Sequence, residues 1–368
     1  MYIDFVVGKN GSGKSRHLQD IARQANEKVI VICNTVHDRY KARPNVKKFS
    51  IRNPNSTPAR IIKSAFVELA REATYKLSAI AKVLEYCHYE PELMFRVVLH
   101  PEASDHLSEL QHLANRGKRD FFLDEFTVQE LAESAGSKDI EFSIDLTQHY
   151  IEPRTQEMLL SILEGEKPLR RLKLVRSIEI LVRPKFNRGF VKLELASSGE
   201  LTLIASQVFL LANIENCNTI LIDEPENSLH PQWQKDYVNN LGNLIGRYDA
   251  RVTIATHSPL IVSGVRNSED RIGFHYAETG VTTAPTDTPP SAEESLWEQF
   301  ETITPESRYV SDHIVNLLED LENKRQSFNS VIKSLNEMAI ASYDGRQEKV
   351  LQAAKNLALK IYQGTHHD

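Results

Sequence analysis

The sequence predicts an α/β protein built on a parallel-rich sheet, and three observations lead there. An apolar run, YIDFVV, feeds straight into a glycine-rich turn. The segment after the turn, HLQDIARQA, has helical spacing with Leu18, Ile21, Ala22 and Ala25 on one face, and a second apolar run, KVIVICNT, follows it. Strand, turn, helix and strand make a βαβ unit, whose crossover requires parallel strands. NTILID and RVTIAT, much further along, read as buried strands of the same sheet because they are largely apolar rather than alternating.

Between these ends the pattern changes. From about Thr57 the spacing is helical through ARIIKSAFVELAREA, KLSAIAKVLEYCHY and ELMFRVVL, and it stays mostly so to about Leu181, broken by the alternating IEFSIDL. This is too long for a loop and predicts an inserted lobe. FVKLEL returns to a sheet-like pattern. The Thr- and Pro-rich ETGVTTAPTDTPPSAEE marks a linker, and amphipathic helices follow in YVSDHIVNLLEDLENKRQSFNSVIKSLNEMAI and QEKVLQAAKNLALKIY. The expected organisation is a core of residues 1–54 and 190–280, a mostly helical insertion at 55–189, a linker at 281–295 and a C-terminal helical extension at 296–368. No internal repeat is evident.

At 368 residues the chain exceeds the size at which one core stops growing, so a core with appended lobes is expected. Hydrophobic residues at 41% and charged residues at 26% exclude collagen-like and wholly disordered chains. Cys33, Cys87 and Cys217 are far apart without paired spacing, which signals neither zinc site nor disulfide framework and suggests buried small hydrophobes. A net charge of -6 argues against a protein that coats nucleic acid over its whole surface. No apolar run approaches the ~20 residues that cross a bilayer and no secretory leader pattern opens the chain, so a cytoplasmic protein with no membrane partner is expected.

Gly8, Gly13, Lys14 and Ser15 satisfy G-x-x-x-x-G-K-[ST], with Asn10, Gly11 and Ser12 completing the turn between a strand and a helix. Glycines let backbone N–H groups converge on phosphate oxygens, and the helix adds its positive end. Lys14 then bridges the β and γ phosphates while the Ser15 hydroxyl takes Mg²⁺. The plainer alternative is a mobile loop. The turn alone does not separate a kinase from a GTPase or a mechanical ATPase.

NTILIDEPENSLHP ends an apolar strand in Asp223 and Glu224. At the carboxyl end of a parallel strand Asp223 can hold Mg²⁺ through water and Glu224 can polarise the attacking water. RDFFLDEFTV also ends in Asp-Glu, at Asp124 and Glu125, but sits inside the insertion without a βαβ setting and reads as a helix start or solvated edge. Upstream of the acidic strand, ELASSGELTLIASQVFLLA starts a helix at Ser197, Ser198 and Gly199, a second anion-binding end with a hydroxyl donor. Since the chain already has its own phosphate turn, this end is expected to complete the ATP site of another copy in a head-to-tail homodimer; the plainer alternative is a helix cap. RVTIATHSPLIV closes a further strand with His257, placed to hydrogen-bond the γ-phosphate or attacking water, although a histidine after a strand is more often structural.

The order phosphate turn, insertion, Ser-Ser-Gly-Glu, ILIDEPENSLHP and ATHSP resembles that of ATP-binding-cassette ATPases, over roughly residues 3–15 and 194–264. The wording GKNGSGKS, DEPENSLHP and THSP is similar to the subgroup related to structural-maintenance-of-chromosomes proteins and overcoming-lysogenization-defect nucleases, rather than to membrane transporters. The resemblance implies a P-loop NTPase fold with ATP and Mg²⁺. It implies Lys14 and Ser15 as phosphate and metal residues, Ser197 and Gly199 as a signature acting in trans, Asp223 and Glu224 as metal acid and base, Asn227 through His230 as the loop joining two sites, and His257 as the switch. The chain departs from the family in opening on the turn's own strand, so adenine contacts are expected elsewhere, and in having no evident counterpart of the glutamine that links nucleotide to helical lobe. It shows no long heptad arm, and no acidic constellation resembling a nuclease follows the linker. A separate effector polypeptide such as a nuclease is expected instead, as in Septu-like and retron-linked antiphage systems.

KPLRRLKLVRSIEILVRPKFNR gathers Lys167, Arg170, Arg171, Lys173, Arg176, Arg183, Lys185 and Arg188, a candidate DNA or RNA contact whose plainer alternative is a solvated edge. RYKARPNVKK is a weaker basic stretch. The functional expectation is an ATPase that dimerises around ATP and controls a DNA-acting effector in antiphage defence. A slowly hydrolysing, nucleotide-gated scaffold that holds a toxin or nuclease inactive is the alternative, with a transporter ATPase behind it.

Overall fold

The computed structural model describes residues 2–35, 40–41, 43–50, 57–72, 74–103, 125–134, 139–148, 150–186, 189–216, 218–263, 271–278, 281–282, 308–340 and 345–364. The chain divides into two compact units, one of Met1–Gln24, Pro231–Gly242 and Arg251–Asp368, the other of Ala25–His230 and Asn243–Ala250.

The first unit holds strands β1 (Tyr2–Val7), β9 (Ala250–Thr256) and β10 (Arg271–Glu278), parallel, with β1 between the other two. The two-residue β11 (Val281–Thr282) closes the edge antiparallel to β10. Because β9 and β10 take both edges of β1, the run KVIVICNT is not its neighbour although it is the next strand in sequence. Helix α1 (Lys14–Gln24) follows the phosphate turn and buries Leu18 and Ala22, half of the apolar face its spacing predicts. The unit also carries most of α8 (Pro231–Ile245), the short α9 (Pro259–Ser263), and three C-terminal helices, α10 (Arg308–Glu322), α11 (Phe328–Ile340) and α12 (Gly345–Gly364). Those last three share a core of their own, with Leu317 and Leu321 of α10, Val331 and Leu335 of α11, and Leu351 and Ala358 of α12. The linker expected at 281–295 lies outside the described residues after β11.

In the second unit β2 (Val29–Cys33) runs between β3 (Val46–Ser50) and β8 (Asn218–Asp223), all parallel, with Cys33 level with both Ser50 and Asp223. Every residue of β2 and β8 is buried, which is why both read as unbroken apolar runs. The span expected as an insertion carries α2 (Pro58–Glu72), α3 (Leu77–Tyr86), α4 (Glu125–Ser134), α5 (Pro153–Glu164) and α6 (Glu166–Arg171). With β7 (Val191–Lys192) just past that span, it also forms an antiparallel sheet in the order β5 (Ile140–Asp145), β4 (Tyr89–Leu99), β6 (Val175–Pro184), β7.

That sheet corrects the helical reading of ELMFRVVL and of the segment ending near Leu181. Leu93, Phe95 and Val97 are buried while Met94, Arg96 and Val98 are half-buried, so the period is 2 and the aromatic and β-branched content belongs to a strand. FVKLEL is also corrected: only Val191 and Lys192 pair, and Leu193–Leu195 turn into a 3₁₀ helix. The apparent alternation fails because Leu195 is exposed while Leu193 is buried. The decoy acid Glu125 opens α4, as the helix-start reading expects, while Asp124 lies outside the described residues. Cys33 and Cys87 are buried, as small hydrophobes are; Cys217 lies outside the described residues.

Candidate functional site

The first unit builds a phosphate-type turn between β1 and α1. Gly11 and Gly13 take φ of 83° and 102°, values at which a side chain is strained. At Gly8 the reason is space: a methyl group there would lie 2.5 Å from the Ala277 carbonyl oxygen and 2.7 Å from Ser12 Oγ. Lys14 is buried, and its Nζ donates to the carbonyl oxygens of Gly8 at 2.8 Å and Lys9 at 3.0 Å, so the ammonium lies back over its own loop. Asn10 and Gly11 are exposed at the tip, and Ser15 is half-buried in the first turn of α1. Ser12 Oγ is buried with no hydrogen-bond partner among the described residues. A buried ammonium, an orphaned hydroxyl, glycine backbone and a helix start without an acidic residue fit a phosphate group.

The register places His257 beside this turn. Val7 pairs with Thr256, so Gly8 and His257 are the next residues out of adjoining strands at the same level. The bend at His257 is held from below. Ser258 N–H donates to Thr256 Oγ1 at 2.9 Å, and Ser258 Oγ donates to Gln234 Oε1 of α8 at 2.7 Å and accepts from Leu260 N–H at 3.2 Å. Along β1, Asp4 Oδ1 lies 3.3 Å from His275 Nε2, and the ring of His17 on α1 is 6.3 Å from that of His275. Burial, then the neighbouring His275, holds His17 below the ordinary histidine range.

The acidic strand belongs to the second unit. Asp223 ends β8 at 1% exposure, and its Oδ2 accepts from the Tyr40 hydroxyl at 3.2 Å. Its carbonyl accepts from Asn34 N–H, the first residue past β2, at 3.1 Å. Asn227 Nδ2 lies 3.2 Å from both the Asn34 carbonyl and Glu224 Oε2, and Asn227 N–H donates to the Glu224 carbonyl at 3.3 Å. Glu224 and Ser228 have φ of 50° and 67°, so the DEPENS turn is held twice in the left-handed region without a glycine. Asn34 is 7% exposed, and its Oδ1 has no partner among the described residues. The orphaned amide oxygen of Asn34, whose N–H bonds the Asp223 backbone, and the buried Asp223 carboxylate are hard oxygen donors of the kind Mg²⁺ takes.

The signature turn is in the same unit, at the start of α7 (Ser198–Asn213). Ser197 is its N-cap: Ser197 Oγ accepts from Glu200 N–H at 3.3 Å, and Glu200 Oε2 accepts from Ser197 N–H at 2.8 Å, a complete capping box. Gly199 is buried, while Ser197 and Ser198 are exposed. Tyr89, the first residue of β4, hydrogen-bonds the Glu200 carboxylate, and burial, then that carboxylate, push its phenol up to about 12. At the other end of α7, Lys76 Nζ donates to the carbonyls of Leu211 and Ile214 at 3.0 and 3.1 Å, with burial holding its pKa below the lysine range.

Among the described residues of the basic stretch, Arg170 pairs with Glu166, Lys173 with Glu102 and Arg183 with Glu92. Arg188 lies outside the described residues. The sequence reading missed Tyr40, Asn34, Gln234 and Tyr89. A signal existed for Asn34, a polar residue closing an apolar strand; for the other three, distant in sequence from their partners, there was none.

Residues 103–263 match the family model described as "AAA domain, putative AbiEii toxin, Type IV TA system". The matched span takes in Ser197, Asp223, Glu224 and His257 and leaves out the phosphate turn. A search of curated proteins finds no match. Among solved structures, the chain is similar to an SMC head bound to the C-terminal winged-helix domain of ScpA, at 17% identity over 31% of this chain and 32% of that one, TM-score 0.23. It is also similar to an ATP-binding cassette of an ABC transporter in its ADP conformation, at 13% identity over 81% and 84%, TM-score 0.31. A third is the Pyrococcus furiosus Smc head with an extended coiled coil, at 14% over 62% and 60%, TM-score 0.23. The chain thus spans about a third of the first of these structures, and likenesses this distant carry no functional argument. No helix among the described residues is long and apolar enough to cross a membrane.

Proposed function

We propose that this chain is an ATPase that dimerises around ATP and Mg²⁺ and controls a separate DNA-acting effector, such as a nuclease, in antiphage defence. The observation that carries the ATPase reading is the phosphate turn itself, with two glycines at positive φ, the close approach of Gly8 to Ala277, buried Lys14 and orphaned Ser12 Oγ. The core of residues 1–54 and 190–280 handles the nucleotide. Gly8, Asn10, Gly11, Ser12 and Gly13 supply backbone donors, Lys14 neutralises phosphate charge, and Ser15 and Asp223 hold the metal, with Asn34 Oδ1 available to its water shell. Bound Mg²⁺ supplies charge neutralisation on the phosphate oxygens. Glu224 accepts the proton of the attacking water, and His257 donates a hydrogen bond to the γ-phosphate. Ser197, Ser198 and Gly199 complete the site of a second copy. The ion pairs on Arg170, Lys173 and Arg183 weaken the case for nucleic acid on that stretch, so DNA is assigned to the effector.

Purified Glu224→Gln protein, measured for nucleotide binding and for phosphate release, tests the reading. Binding should persist while turnover falls ~10²- to 10⁴-fold, the usual contribution of a general base. Normal turnover in that variant would remove Glu224 from the reaction.

A further inference from the structure

Tyr40 belongs to none of the nucleotide motifs, yet its side chain ends on the acid proposed to hold the metal. Its ring is buried at 7% exposure, and its backbone carbonyl accepts from Lys48 Nζ of β3 at 3.0 Å. Its hydroxyl donates to Asp223 Oδ2 at the end of β8. Its backbone is thus tethered to a side chain of β3 while its hydroxyl touches the acid at the end of β8. At 3.2 Å the contact is a long O–H···O bond to one carboxylate oxygen. Asp223 itself is 1% exposed, which leaves its orientation to protein donors rather than to bulk water.

We propose that Tyr40 is a positioning residue for Asp223: its phenol fixes the rotation of the carboxylate and so sets how well the site accepts Mg²⁺. Mg²⁺ demands near-ideal octahedral geometry and loses its water reluctantly, so a carboxylate free to rotate binds it less well. Asn34, bonded through its N–H to the Asp223 carbonyl, holds the backbone of the acid while Tyr40 holds its side chain. The inference rests on the metal role given to Asp223 above and adds the residue that governs it.

The test follows binding rather than turnover. A fluorescent ATP analogue is titrated onto the full chain without divalent metal, then with increasing Mg²⁺, and Mn²⁺ binding is followed in parallel by electron paramagnetic resonance. For Tyr40→Phe the half-saturating Mg²⁺ should rise about 10-fold, in line with other groups that orient a metal ligand, while metal-free analogue affinity stays at the wild-type value. In an Asp223→Asn background the same Tyr40→Phe change should do nothing further, which also separates orientation from misfolding. An unchanged Mg²⁺ curve, tighter metal binding, or an equal fall in metal-free affinity would each overturn the inference. A wild-type chain that binds the analogue with no response to Mg²⁺ or Mn²⁺ would instead overturn the metal role of Asp223, and the inference with it.

Discussion

Two helices in this protein begin at proposed nucleotide contacts, and their first turns are built in opposite ways. α1 starts from a turn of glycines, has no acidic residue in its first turn, and buries a lysine there. α7 starts from a closed capping box whose Glu200 carboxylate already sits on the positive end of the helix. Since a helix N-terminus favours one negative charge, α1 is arranged to receive that charge from outside, whereas α7 brings its own. The same motif logic therefore predicts a strong anion site at α1. At α7 it predicts a weaker one, which works only when a second copy delivers the phosphate.

The largest effect that would sharpen this contrast is at α1. Lys14→Ala should lower ATP affinity of the single chain about 10- to 100-fold, the scale of hydrogen bonds to a charged group, measured by calorimetry. Next is the far end of α7. Lys76→Met leaves the Leu211 and Ile214 carbonyls without their ammonium and should lower stability by about 1–3 kcal/mol in urea unfolding, with single-chain ATP affinity unchanged. The smallest effects are at the capping box. Ser197→Ala should cost about 1 kcal/mol of stability as a lost N-cap, again without weakening single-chain binding. Glu200→Gln, which removes charge but keeps an acceptor, should tighten any ATP-dependent dimer by about 0.3–1 kcal/mol in sedimentation. If Ser197→Ala reduced single-chain affinity as much as Lys14→Ala, the contrast between the two helix starts would be broken.

Much of this was legible from sequence. The phosphate turn, the acidic strand and His257 are contiguous stretches whose chemistry depends on neighbours in the chain; β2 and β8 follow from apolar runs buried on both faces, β1 and β9 from largely apolar runs, and α1 from its helical spacing. The insertion was harder. In β4 the half-buried side carries Met94 and Val98, so its apolar residues do not alternate cleanly and the strand passes for a helix face. The support around the acids was not legible either. Tyr40 meets Asp223 across 183 residues, and Tyr89 meets Glu200 only because β4 is a strand, so no local spacing announces either contact.

One further consequence lies in the backbone of Glu224. A residue with φ of 50° pays for that posture in every folded molecule, and glycine would sit there without strain. Selection for heat tolerance alone would therefore drift toward chains that have discarded the carboxylate, and with it the hydrolysis assigned to it. Sturdiness and turnover pull against each other at a single peptide unit.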